Sequence, residues 1–199
     1  MYEGVDTVVL HNELAYEDVL PVGWRALAKP LDLAAVAALT ERNVRTLQVC
    51  ATIEEQGPVE KAEEKSLHSA DLLRLEVKMN LVLELMVQLL AAQQPRPRPA
   101  PLRFNALGAV WKTTTPPKVG DQGLLDIHLR ECLAQPLTLI ANVTHVSASG
   151  EVKVTFTPPG EATADLIEKL AFRRHRRLVA GVRQPRRSTG ETGITRTLG

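Results

Sequence analysis

Four short segments between residues 101 and 157 alternate apolar and polar side chains, and nothing else in the sequence constrains the fold as strongly. In Leu125-Asp126-Ile127-His128-Leu129-Arg130 every second residue is apolar, the period of a strand with one buried face. Val152-Lys153-Val154-Thr155-Phe156-Thr157 repeats the pattern, and between them Leu137, Leu139, Ala141 and Val143 alternate with Thr138, Ile140, Asn142 and Thr144. Leu102, Phe104 and Val110-Trp111 mark an earlier strand, loosened at Gly108 by a bulge or bend. Turn residues punctuate the joints: Pro116-Pro117, Gly120-Asp121, Pro136, Gly150 and Pro158-Pro159-Gly160. Antiparallel strands so closely spaced predict a small sandwich or barrel. A helix from about Ala164 would cover one open end, with Phe172 in phase with Leu166 and anchoring it.

The first half of the chain reads as helical. Residues 1–30 are irregular, and Val8, Leu10, Leu20, Val22 and Trp24 suit an extended arm lying on a larger body. Asp32 can cap a helix after Pro30. Leu33, Val36, Thr40, Val44, Leu47 and Ala51 recur at helical steps, and Gln56-Gly57-Pro58 ends the run. In the next helix Leu72, Leu75, Met79, Val82, Met86 and Leu89 follow alternating steps of three and four, a coiled-coil heptad seam. Glu76, Asn80, Glu84 and Gln88 form a polar stripe, but Leu73, Leu81, Leu83, Leu85, Val87 and Leu90 leave little other polar surface. Such a helix needs cover on more than one side. A helix hairpin with a second subunit would provide it; burial within a monomeric helical core is the alternative. Alternate prolines in Gln93–Pro101 then impose an extended link. The expected organisation is an arm (1–30), a helical oligomerisation region (31–94), a Pro-rich linker (95–101), a β-barrel with its capping helix (102–181) and a mobile tail (182–199).

Catalytic chemistry finds little support. The five histidines, His11, His68, His128, His145 and His175, never stand four apart or beside a cysteine, so no metal site is expected. Cys50 and Cys132 give no disulfide framework and read as small buried hydrophobes in a reducing compartment. No Gly-rich phosphate loop follows a strand, and no serine occupies a nucleophile elbow. Asp121 belongs to a turn and Asp126 to a solvent face, so they are not an acid–base pair. Apolar Leu81–Ala92 is too short to span a bilayer and no signal peptide is visible, so the expected location is cytoplasmic. Arginines are the functional-looking groups. Residues 172–199 hold eight of them against the single acid Glu191, which leaves residues 1–171 at −6 of a net +1. Such a segment suits an acidic partner, a solvated basic end, or (for Arg173, Arg174, Arg176 and Arg177) stabilisation of a helix C-terminus.

Residues 101–177 resemble a PilZ domain, the small bacterial β-barrel that serves as a cyclic di-GMP receptor. The likeness lies in Gly108-Ala109-Val110-Trp111, in Val119-Gly120-Asp121 leading into Leu125–Leu129, and in the closing Glu168–Arg177. With the preceding heptad helix, nearly the whole chain is similar to the atypical tetrameric PilZ proteins of xanthomonad-type bacteria. The resemblance implies an α+β fold: a small antiparallel PilZ-like β-barrel with a C-terminal helix, preceded by a long-helix hairpin that oligomerises through Leu72, Leu75, Met79, Val82, Met86 and Leu89.

It also implies where a ligand would sit. The family signature has two arginines four apart just before the first strand, followed by D/N-x-S-x-x-G. Anchored on Gly108, this chain has Arg103 at the acidic position and Asn105 at the serine position, while Arg96 and Arg98 stand two apart. Arg96, Arg98, Arg103, Asn105 and Gly108 are therefore a degenerate ligand set, with cyclic di-GMP at most a weak ligand and no other cofactor. The expectation is a non-enzymatic, cytoplasmic tetramer in cyclic di-GMP-linked control of motility, type IV pili or virulence. It would act through protein contacts, with Arg173, Arg174, Arg176 and Arg177 as partner-binding candidates. The alternative is a nucleic-acid-binding barrel with a basic tail, disfavoured because Phe104 and Phe156 fall in buried phase.

Overall fold

Tyr16–Ala26, within the expected N-terminal arm, is instead a barrel strand and the one that closes the fold. The computed structural model describes residues 9–55, 96–130, 133 and 135–182, and between them residues 72, 74, 75, 77–79, 81, 82, 85, 86 and 89. A two-residue turn at His11 and Asn12, both at positive φ, joins strands β1 (Val9–Leu10) and β2 (Glu13–Leu14) in a small hairpin. Next come β3 (Tyr16–Ala26), helix α1 (Leu33–Glu55), β4 (Pro99–Phe104), β5 (Gly108–Lys112), β6 (Gln122–Ile127), β7 (Leu137–Val146), β8 (Glu151–Phe156) and helix α2 (Glu161–Val182).

β3 pairs with β4 through its first half and with β6 through its second, which completes a closed antiparallel barrel in the order β3-β4-β5-β8-β7-β6. Closure removes the free edges that an open sheet would expose. The sequence of residues 1–30 hides this role because both ladders are non-local: Tyr16 faces Phe104 and Trp24 faces Leu125.

The alternating residues fill the barrel as expected. Leu125, Ile127, Leu137, Leu139, Ala141, Val143, Val152, Val154 and Phe156 are buried with Leu102, Phe104 and Trp111. The earlier strand differs from expectation. It is two strands, β4 and β5, joined by a tight turn in which Asn105 N–H donates to the Gly108 carbonyl. Gly108 is no bulge; a Cβ there would collide with the carbonyl oxygen of Val154 on β8. Pro99 and Pro101, expected in the linker, belong to β4 and face Pro21 and Val19.

Asp32 caps α1 as predicted, its Oδ1 accepting from Ala35 N–H at 2.7 Å. The buried face of α1 runs through Leu39, Asn43, Thr46, Leu47 and Cys50; of the expected Leu33–Val36–Thr40–Val44–Leu47–Ala51 line only Leu47 is fully buried. Leu33 is 89% exposed. The rotation follows from Asn43, whose amide donates to the Thr138 carbonyl (2.6 Å) and accepts from Thr138 N–H (3.0 Å), docking α1 on β7. Thr138 in turn donates to Asp126, which Arg25 grips with two guanidinium nitrogens at 2.6 and 3.0 Å. Asp126 is thus buried in a polar chain linking β3, β6, β7 and α1, and does not face solvent. The hydrogen bond to Asp126 raises the pKa of Arg25 further above its ordinary value.

α2 begins at Glu161, three residues before expectation, and buries Thr163, Ile167, Leu170 and Ala171. Phe172 is 54% exposed and is not the anchor. The inward stripe passes through positions 163, 167, 170, 171 and 174, which turns position 172 outward. Among the described residues no helix is long and apolar enough to cross a membrane.

Every described position between 72 and 89 is helical. Pairing of this segment with α1 into a hairpin, the polar stripe of Glu76, Asn80, Glu84 and Gln88, the apolar Leu73, Leu83, Val87 and Leu90, the Gln56-Gly57-Pro58 stop, Gln93–Pro95 and Cys132 lie outside the described residues. So do Arg183, Arg186, Arg187 and the rest of the tail.

Candidate functional site

The turn between β4 and β5 is where the signature of the resemblance would act, and its polar groups are already engaged. Asn105 is buried; its Oδ1 accepts from the N–H groups of Leu107 (2.9 Å) and Gly108 (3.2 Å), and its Nδ2 donates to the Leu10 carbonyl at 2.6 Å. An asparagine amide whose oxygen takes two donors and whose nitrogen is tied to a buried carbonyl is a turn-forming group. The surroundings are acidic: Glu13, Glu161 and Glu168 rim an apolar cleft of about 330 Å³ over Leu107 and Phe156.

The arginines do not converge on this turn. Arg103 reaches back across the ladder to Glu17 at 3.2 Å, an exposed pair. Arg96 donates to the Leu133 carbonyl at 3.4 Å. Arg98 precedes β4, so five residues of strand, roughly 16 Å, separate it from Arg103. The order of the staves adds a sharper point. The first barrel strand is β3, and the sequence contains no arginine before Arg25. Arg96 and Arg98 lead into the second stave, after the helices.

The C-terminal arginines lie in the body of α2, with no basic residue in its last turn, so a macrodipole role does not account for them. Arg174 turns inward: its guanidinium pairs with Asp18 at 3.1 Å and lies 5.8 Å from the centre of the Tyr16 ring. Tyr16 also donates to Asp18 (3.2 Å) and packs on Phe104. Burial first, then the Asp18 carboxylate, raises its phenol to a pKa of about 12, against the opposing Arg174 and Arg130 charges. Arg174 is therefore a latch between α2 and β3. Arg176 lies over the exposed Phe172 ring at 6.0 Å. Arg173 and Arg177 also have interactions within the chain.

Burial, and secondarily the Arg96 charge, lowers the pKa of His128 despite the nearby Asp126. Among the described residues no group of three His, Cys, Asp or Glu side chains is placed to hold a metal ion. Phe104, Trp111 and Phe156 are buried, so these rings offer no platform for bases.

The six seam residues are helical and exposed: Leu72 65%, Leu75 57%, Met79 54%, Val82 51%, Met86 54% and Leu89 65%. Val77, Leu81 and Leu85 are exposed as well. The sequence showed this apolar face. It did not show the contact of Arg25 with Asp126, 101 residues apart, for which no local pattern exists. Nor did it show the stacking of Trp24 on Trp111, ring centres 6.1 Å apart, although these are the two tryptophans of the chain.

A closed six-stranded antiparallel barrel, with a helical insertion between its first and second strands and a helix after its last, defines a PilZ-like α+β domain. Residues 47–184 match the family described as the atypical PilZ domain, cyclic di-GMP receptor, and the chain belongs to that family. A pathogenic protein from Xanthomonas campestris, a tetrameric PilZ domain self-assembled via an unusual helical bundle, has a similar structure. The TM-score is 0.67 at 22% identity over 86% of this chain and 93% of that one, a likeness of fold. No curated protein matches the chain.

Proposed function

We propose that this chain is a non-enzymatic, cytoplasmic atypical PilZ protein of cyclic di-GMP-linked signalling, in motility, type IV pili or virulence. It works by self-association and protein contacts, with its dinucleotide signature degenerate. The observation that carries this reading is Asn105, whose amide is spent on the Leu10 carbonyl and two turn N–H groups. Binding a dinucleotide's phosphates normally calls for convergent arginines. Here the corresponding turn is rimmed by Glu13, Glu161 and Glu168, which disfavour an anion.

Self-association rests on the exposed seam. Each large apolar side chain moved from water into an interface stabilises by about 1.5–3 kcal/mol when fully buried. Six such side chains at helical positions and heptad spacing favour a second copy, and the Xanthomonas campestris protein, a tetramer built through a helical bundle, supports a tetramer here. Calorimetric titration with cyclic di-GMP is the test. No heat of binding is expected at micromolar ligand and physiological salt. A submicromolar dissociation constant that disappears in the Arg96→Ala, Arg98→Ala double variant would restore the receptor reading.

A further inference from the structure

At the end of the barrel away from the Asn105 turn, β4 and β5 part company. They pair only over Leu102–Phe104 and Ala109–Trp111. Beyond that point Pro99 and Pro101 have no N–H to continue a ladder. The gap is a groove of about 860 Å³, of the size in which ligands are held. One wall is the proline-rich entry to β4, the other runs from Lys112 to Pro116, and Ser147–Gly150 close the end. The stacked Trp24 and Trp111 rings and Val22 lie at its base.

The chemistry of the lining is one-sided. It contains Arg98, Lys112, three threonines and two serines, and no carboxylate. Arg98 is exposed, and among the described residues it has no ion-pair partner. Lys112 stands opposite Glu151 on β8, which is outside the lining. Thr113 accepts from Thr115 N–H, and Ser147 accepts from Glu151 N–H, so both hydroxyl groups keep a proton to donate outward or to a neighbour. A wall of donors and cations over an apolar base calls for a ligand rich in acceptors, negatively charged, with apolar groups between the charges. Stacked bases do not fit: Trp111 is buried, and Trp24 lays one face on it while lying across Gly123.

We propose that this groove is a docking site for an extended acidic segment of a partner protein, its carboxylates on Arg98 and Lys112 and its apolar side chains against the proline wall and Trp24. The proposal extends the reading of this chain as one that acts through protein contacts. It can fail separately from that reading, because its test involves neither cyclic di-GMP nor the helical seam.

Random peptides displayed on phage are selected against the full-length protein, with Arg98→Glu and Thr114→Glu as parallel targets. Enriched peptides should carry aspartate or glutamate and bind wild type roughly tenfold more tightly than either variant, with the gap closing at high salt. As synthetic peptides they should shift the tryptophan emission, which reports on this groove because both tryptophans of the chain stand in it. Unchanged melting temperatures of the variants separate lost binding from lost folding. Enrichment of neutral or basic peptides, equal binding to the variants, an unchanged emission, or displacement of the peptides by a single-stranded oligonucleotide at lower concentration would each overturn the proposal.

Discussion

Replacing Asn105 with alanine separates a turn-forming role from a ligand-binding one. The substitution leaves the buried Leu10 carbonyl without its 2.6 Å donor, at a cost of about 1–3 kcal/mol for an unpaired buried acceptor. The Leu107 and Gly108 N–H groups also lose their acceptor, about 0.5–1.5 kcal/mol each, less for Leu107, which reaches solvent. These terms share one side chain and do not add fully, so the expected loss is about 3 kcal/mol. For a chain of this length that corresponds to a melting point lower by roughly 6–12 °C. Urea unfolding followed by tryptophan emission at fixed protomer concentration measures it, since Trp24 and Trp111 both belong to the barrel. Asn105→Asp, which keeps the two accepted bonds but sets a carboxylate against the Leu10 carbonyl, should be at least as damaging. A loss under about 0.5 kcal/mol, together with an altered affinity for cyclic di-GMP, would refute the argument.

Val82→Glu places a charge in the seam and should split the oligomer, read by light scattering; burying it unpaired costs several kcal/mol. A wild-type chain that is monomeric at micromolar concentration would contradict the seam. Ile167→Ala should cost about 2–5 kcal/mol in denaturant unfolding, whereas Phe172→Ala should stay within roughly 1 kcal/mol, since the first side chain is buried and the second exposed. His128 has its folded pKa below the ordinary 6.5, so the unfolded chain binds the proton first as pH falls. Stability should therefore decline below pH 6.5 until the folded-state pKa is passed, and His128→Gln should flatten that part of the pH–stability profile. Removal of residues 182–199 should shift the melting temperature little and weaken association with an acidic partner in a salt-dependent way; unfolding or loss of assembly on truncation would make the tail structural.

Much of the architecture was already legible along the chain. Period-two alternation in 125–129, 137–143 and 152–156 gave the barrel interior, because each of those strands has one face in the core and a side chain's face depends only on its parity. The Asp32 cap and the helical state of the described positions between 72 and 89 were equally readable, since a cap and a helical period are set within a few residues. Tertiary structure alone decided the rest. β3 looked irregular because it pairs half its length with β4 and half with β6, roughly eighty and a hundred residues away. α1 was rotated from its apolar stripe because two hydrogen bonds between Asn43 and Thr138 of β7, one donated and one accepted by the amide, outweigh a few partly exposed aliphatic contacts. Phe172 turned outward once Ile167, Leu170 and Ala171 had set the angle of α2. Asp126, polar in a strand, read as a surface residue until Arg25 and Thr138 arrived from other strands to satisfy its charge. In each case the local pattern states which groups need burial or a partner, and only the assembled barrel determines which partner is within reach.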